Sequence, residues 1–374
     1  MIKSKSIVNL IFLKNRIMSL LFEPLQLKQH TLQNRIVVSP MCQYSSHDGF
    51  ATNWHLVHLG QFAIGKAGLI IQEATAVSPE GRITYADLGI WKEEHISELK
   101  NIVDFVHQQG SLIGIQLAHA GRKASTNIPW INRDQFSPDH VNGWQTVSAS
   151  SIPFHHKDYA PKELTIDEIK AIIQDFKIAA ERAVKANYDV IELHAAHGYL
   201  IHQFLSPLIN NRTDAYGGSF DNRIRFLLEI TKEVASVLTN QSLWVRISAT
   251  DWATGGWSNF DSIKLVKKLK ELGVEVVDVS TGGAVHHQEI PVHPNYQVPF
   301  AERIKKETQM LTGTVGLISN AYQAEEILKK QEADFILIGR GFLQNPHLVY
   351  RFAKDLNVDI NWAPQYERGK ESFE

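Results

Sequence analysis

The 374-residue chain reads as an α/β protein, a single (β/α)8 TIM barrel with an N-terminal hairpin and a long lid after the third strand. Three observations predict this. From Arg35 onward, short β-branched apolar runs alternate with longer amphipathic stretches. Eight such runs occur, and runs that are apolar throughout suit strands buried on both faces, hence parallel ones. No G-x-G-x-x-G follows any of them, so a doubly wound dinucleotide-binding sheet is the weaker alternative.

Taken in order, Phe22 to Thr31, with Pro24 and alternating Leu25 and Leu27, forms a hairpin that plugs the barrel bottom. The first four strand runs are Ile36 to Met41, Leu69 to Ala74, Leu112 to Ala118 and Val190 to His194. The remaining four are Leu243 to Ser248, Val276 to Thr281, Thr314 to Ile318 and Phe335 to Gly339. Between them, Glu93 to Gln109 places Ile96, Leu99, Ile102, Val103 and Val106 on one helical face. Ile166 to Ala186 is a second helix, with Thr165 as its cap and Asp167 and Glu168 in its first turn. Ser262 to Leu272, Ala321 to Lys330 and Asn345 to Asp355 continue the alternation. The connection from Arg122 to Thr165 exceeds 40 residues and carries Trp130 and Trp144, which marks a lid or binding segment.

Composition excludes several functions. A single cysteine among 374 residues rules out a disulfide framework, a CxxC redox pair, a Cys-rich zinc site and a thiolate-held iron–sulfur cluster. A net charge of −2 gives no electrostatic footprint for nucleic acid or an acidic membrane. The expected setting is the reducing cytoplasm, and no segment is apolar enough for a membrane span. Residues 1–20, with Lys3, Lys5, Lys14 and Arg16 and a second Met at position 18, are expected to be a disordered or spuriously translated leader. Residues 21–374 then form one domain.

In this fold chemistry gathers at the carboxyl ends of the strands. Those ends carry Ser39-Pro40-Met41-Cys42 with Tyr44 beyond, Glu73-Ala74, Gln116, His194 to Tyr199, Arg246, and Gly339-Arg340-Gly341. No strand ends in Lys, which argues against a Schiff-base aldolase. Gly339 and Arg340 suit a phosphate, held by backbone N–H groups and a guanidinium. Arg246 within an apolar strand needs an anionic neighbour, and Glu192 on the adjacent strand is the obvious protein candidate. A planar ring with alternating donors and acceptors would satisfy both Arg246 and Gln116. His194 and His197 can donate two hydrogen bonds to one oxygen, with Tyr199 as proton donor. Two alternatives stand beside this: a core histidine pair, and a metal-dependent hydrolase or lyase using His194, His197 and Glu192. His55 and His58 read as structural, and His286-His287 as part of a solvated loop or lid.

In order along the chain stand Ser39-Pro40-Met41-Cys42-x-Tyr44, Gly114-Ile115-Gln116-Leu117-x-His119-x-Gly121-Arg122, His194-x-x-His197-Gly198-Tyr199-Leu200, and Asn211-Arg212-Thr213-Asp214-x-Tyr216-Gly217-Gly218-Ser219-x-x-Asn222-Arg223. This series resembles the Old Yellow Enzyme family of FMN-dependent ene-reductases, and more narrowly the bacterial NADPH dehydrogenase and xenobiotic reductase subgroup. Lys123 to Trp130 and Trp362 are similar to the xenobiotic-reductase branch, and Leu200 to Pro207 and the tail to the other.

The resemblance implies tightly bound FMN, with NADPH as hydride donor and an activated alkene as acceptor in a ping-pong cycle. Ser39, Pro40, Met41, Cys42, Ala74 and Gln116 would line the flavin, Arg246 would meet its N1/O2 edge, and Gly339 and Arg340 would hold its phosphate. His194, His197 and Tyr44 would bind substrate, and Tyr199 would supply the proton. Arg368 would reach into a neighbouring subunit's site, which implies a homo-oligomer.

Overall fold

The computed structural model describes residues 19–370. The N-terminal hairpin pairs β1 (Leu25–Leu27) antiparallel with β2 (His30–Leu32). Eight parallel strands then close into a barrel: β3 (Ile36–Val38), β4 (Leu69–Ala76), β5 (Leu112–Ala118), β8 (Val190–Ala195), β9 (Ser242–Ser248), β10 (Val276–Ser280), β11 (Leu311–Thr314) and β12 (Phe335–Ile338). The short β6 (Val147–Ser148) and β7 (Lys162–Glu163) pair with each other inside the long connection. The expected (β/α)8 architecture is therefore the observed one.

Two apolar layers hold it. Leu27 and Leu32 of the hairpin pack beneath the barrel against Val37, Leu69, Val190, Trp244, Phe335 and Leu337, so the hairpin does plug the bottom. Outside the sheet, Leu99, Val103, Ile169, Phe176, Ile230, Leu265 and Ile327 bring the helices onto the strands. The helix at Ile166–Lys185 begins with a reciprocal capping box between Thr165 and Glu168, as its sequence predicts.

Several elements differ from expectation, among them the first barrel strand, which ends at Val38 and not Met41. The seventh barrel strand is Leu311–Thr314 rather than Thr314 to Ile318. The apolar run continues past the sheet because Gly316 (φ 128°) and Leu317 (φ 53°) turn it into a loop that lines a cleft at the barrel mouth. Helices Phe220–Ala235 and Val298–Thr308 were not among the expected elements. The second is short, with Pro at its start and only Val298, Ala301, Ile304 and Thr308 buried, so its periodicity is faint. The first has a full apolar face, obscured because it begins within the Tyr216 to Arg223 motif. Of the expected leader, residues 1–18 lie outside the described residues. Ser19 and Leu20 belong to the folded body: Ser19 Oγ (2.7 Å) and the amides of Leu20 and Leu21 donate to the Glu325 carboxylate.

Candidate active site

Strand β3 delivers Ser39, whose amide still donates to Ile338 O at 3.0 Å, and the chain then runs through Pro40 and Met41 to Cys42. Burial, and then the charges of Asp87 and Glu73, push the Cys42 thiol well above its ordinary range, so it stays protonated. Tyr44 follows in the left-handed region (φ 48°), and its ring meets Trp130 of the lid edge-on at 6.0 Å. A bulge in β4 shifts the register between Gln72 and Ala74. Glu73 thereby turns out of line to accept from the Gln43 amide at 3.0 Å, while Ala74 comes opposite Gln116.

Strand β8 supplies the densest cluster. The rings of His194 and His197 meet edge-to-face at 5.1 Å, and those of His194 and Tyr199 at 4.9 Å. His194 Nδ1 accepts from the Ala196 amide (3.3 Å), which leaves Nε2 as the protonated nitrogen. His197 Nε2 contacts Ser280 Oγ at 2.7 Å. Neither His194 Nε2 nor His197 Nδ1 hydrogen-bonds any described residue, and neither is a sealed orphan. Burial and the nearby charge of Arg246 hold both imidazoles well below the usual histidine range, so both are neutral. Burial above all raises Tyr199, so its phenol keeps its proton.

Arg246 has an acidic neighbour, but not the expected one. Its Nε lies 2.9 Å from Asp278 Oδ2, whereas Glu192 accepts from Gln116 Nε2 at 2.7 Å. The Arg246–Asp278 contact is close enough for strong attraction yet is not aligned as a hydrogen bond, and no described residue engages the terminal guanidinium nitrogens. The guanidinium is therefore oriented without being saturated. The metal alternative finds no support in the geometry: no group of three or more His, Cys, Asp or Glu suited to an ion occurs among the described residues.

Two cavities open at the mouth. One, of about 740 Å³, is lined by Met41, Tyr296, Gln297, Ser319, Gly339 and Arg340, among others. The other, of about 590 Å³, is roofed by the lid and lined by Tyr44, Lys123, Arg133, Phe154 and Tyr199, among others. Burial raises the Tyr296 phenol, and the charges of Arg340 and Arg246 pull it back. These residues fit FMN: a phosphate-sized anion belongs with Arg340 and the loop amides, and an electron-rich ring edge with the unsaturated Arg246.

Arg368 is exposed on the last helix, Glu367–Lys370, and lines neither cavity of its own chain. His55 is fully buried and pairs with Thr52, and His286 packs against Phe154 and His155 of the lid. Several site residues were not expected. Asp278 stood out in principle, as a lone acid in an apolar strand. Lys123, Tyr296 and His202 carried no signal that separates them from surface residues.

Barrel and mouth together define the class: a (β/α)8 barrel whose carboxyl end carries clefts that suit a phosphate-bearing planar cofactor. The model of the NADH:flavin oxidoreductase / NADH oxidase family matches residues 20–359, and the chain belongs to that family. It is 50% identical over 351 residues to the NADPH dehydrogenase of Bacillus subtilis (strain 168), covering 93% of this chain and 98% of the relative. It is 48% identical over 353 residues to the NADPH dehydrogenase of Geobacillus thermodenitrificans (strain NG80-2), covering 94% and 98%. Morphinone reductase in complex with tetrahydroNAD superposes with a TM-score of 0.76 at 30% identity, over 92% of this chain and 93% of that one. The resemblance to the Old Yellow Enzyme family thus holds, and the chain is an FMN-dependent oxidoreductase.

Proposed function

We propose that this enzyme is an ene-reductase that uses NADPH to reduce activated C=C bonds in α,β-unsaturated carbonyl compounds and, by the same chemistry, nitro compounds. The observation that carries this reading is the triangle of two neutral imidazoles and one protonated phenol. Bound FMN would supply hydride transfer between NADPH and the alkene, so both substrates would use one site in turn. Ser39, Pro40, Met41, Cys42, Ala74, Gln116, Arg246, Gly339 and Arg340 are the residues that would hold it.

The chain's own part is polarisation, positioning and proton supply. His194 offers Nε2–H. His197 offers Nδ1–H when the Ser280 hydroxyl gives its one proton to His197 Nε2 (2.7 Å) rather than to Gln297 Oε1 (3.2 Å), which also accepts from Thr281 Oγ1 at 2.8 Å. Two donors on one carbonyl oxygen stabilise the enolate charge that grows as hydride arrives at the β-carbon. A neutral donor pair polarises the oxygen without surrendering a proton to it. Tyr199 then gives its proton to the α-carbon, and Tyr44 under Trp130 closes the opposite side.

Arg133 and Lys157 line the lid cavity with no side-chain partner among the described residues and suit the phosphates of NADPH. Arg368 would complete the site of a neighbouring copy, and the cytoplasm, where NADPH is kept reduced, is the setting this cycle needs.

The test is Tyr199→Phe in rapid-mixing experiments. NADPH should bleach the yellow enzyme at close to the wild-type rate, whereas reoxidation by cyclohexenone should slow by about 10²–10⁴-fold. Equal slowing of both half-reactions would remove Tyr199 from its role as acid.

A further inference from the structure

His197 (φ 59°) and Gly198 (φ 74°) form a left-handed turn that connects the substrate-facing histidines to Tyr199. Such a conformation is costly for His197 and persists only where the surroundings impose it. Every backbone polar group of this dipeptide is held by a side chain. The His197 amide donates to Ser248 Oγ at 2.9 Å, and its carbonyl accepts from Lys123 Nζ at 2.8 Å. The Gly198 amide donates to His202 Nδ1 at 2.9 Å, and its carbonyl accepts from Gln203 Nε2 at 2.8 Å. There is also no room to drift: a Cβ on Gly198 would lie 2.0 Å from Gly283 O.

His202 is the member whose chemistry says most. It is fully buried, one turn into the helix that follows Tyr199. An amide N–H can be met only by a bare Nδ1, so the ring proton must sit on Nε2. There it points at Asp251 Oδ1, 2.9 Å away. Asp251, also fully buried, accepts in addition from Ser206 Oγ (2.6 Å) and the Trp257 amide (2.8 Å), so the carboxylate is itself fixed. The arrangement orients an imidazole by a buried carboxylate, yet the oriented nitrogen faces the backbone and not the cavity.

We infer that the Asp251–His202 pair is a positioning device for the active-site turn: by presenting a bare Nδ1 to the Gly198 amide, His202 fixes where Tyr199 and His197 stand over the substrate. Asp251 selects the tautomer, the tautomer makes the bond, and the bond holds the turn. This inference rests on Tyr199 acting as the acid in the reaction proposed above.

Two isosteric variants of the holoenzyme separate positioning from mere support. His202→Asn places an amide oxygen near the Nδ1 position, which keeps the acceptor for Gly198 and gives up the link to Asp251. His202→Gln places its amide near Nε2, which keeps the link and gives up the acceptor. The expected result is that hydrogen exchange at the Gly198 amide accelerates at least about tenfold in the Gln variant only. Its reoxidation by enone should slow by a similar factor, while reduction by NADPH stays within about twofold of wild type. Equal impairment of the two variants, in proportion to their loss of melting temperature, would reduce His202 to a structural residue and overturn the inference. So would a Gln variant with wild-type turnover. Should the Asn variant fold poorly, Gly198 exchange in the wild-type holoenzyme decides: protection near that of the barrel strands supports the inference, and loop-like exchange overturns it. The amide-exchange readout does not depend on Tyr199 being the acid, so a failure of that assignment would be seen separately in Tyr199→Phe.

Discussion

At the residue scale the barrel interior poses a charge problem, because Arg246 faces two buried carboxyl groups, Asp278 and Glu192. One guanidinium cannot neutralise both, so one acid keeps its proton. Burial and the charge of Asp278 push Glu192 up to about 8, although Arg246 and the Gln116 hydrogen bond pull the other way. A protonated Glu192 leaves Arg246 oriented by Asp278 alone. The sign of the pH effect follows. Between about pH 4.5 and 8 the folded chain holds a proton that the unfolded chain has released, so stability falls as pH rises through that window. Glu192→Gln keeps the shape and the acceptor for Gln116 but has no proton to lose. Its stability relative to wild type should therefore climb from pH 5 to pH 8, by on the order of 3–4 kcal/mol, and level off above that. Thermal unfolding at pH 5, 6.5, 8 and 9 measures it. A difference that stays flat across this range would mean that Glu192 is ionised in the folded state.

At the element scale the lid shows how a long connection becomes part of a site. Arg122, at its base, is buried and donates to Ile152 O (2.9 Å) and Pro153 O (3.2 Å) within the lid and to Ala284 O (2.6 Å) after β10. The Trp144 indole donates to Glu80 O at 2.9 Å, and Arg82 lies between the rings of Trp91 and Trp144. Arg122→Met removes the donors from three carbonyls, at about 1–3 kcal/mol for each that stays dry. The lid should then open first. Limited proteolysis should cut between residues 127 and 160 several-fold faster, with a higher KM for the enone and a smaller change in NADPH-driven flavin reduction. Resistance equal to wild type would show that the tryptophans suffice. The same segment marks how far the sequence can be read. Its length and its two tryptophans announce a lid, because chain without a core role is seldom kept at that size. That Trp130, 64% exposed, sits on Tyr44 depends on a loop path that no periodicity encodes. Strands were legible because barrel burial demands unbroken apolar runs. The run at Thr314 to Ile318 misled because a cleft-lining loop obeys the same demand. Residues such as Arg246 and His194 were legible because a polar group at a strand end must be satisfied by something. Lys123 was not, because its role is set by the carbonyls of His197 and Gly283, far from it in the chain.

At the scale of the whole molecule, the described chain closes its barrel and its bottom but leaves its tail facing outward. Trp362 stacks on Tyr350 at 4.1 Å and fixes the start of the tail, and Arg368 follows, exposed on the final short helix. A guanidinium held near a firm anchor, yet lining neither cavity of its own chain, is suited to a symmetric contact in which each copy completes the other's site. A complementation experiment distinguishes the two arrangements. Tyr199→Phe alone lacks the acid but keeps Arg368, and Arg368→Ala alone lacks the tail guanidinium but keeps Tyr199. If the tail serves a neighbour, a mixed assembly contains one site with both groups intact. Unfolding and refolding the two variants together should then restore enone reduction above the sum of the separately refolded samples, with kinetics of the restored fraction matching wild type. If Arg368 serves its own chain, no mixed site has both groups, and the mixture gives only that sum. A sample that sediments as a monomer at assay concentration, or an Arg368→Ala variant with wild-type KM for enone and NADPH alike, would remove the tail from the site altogether.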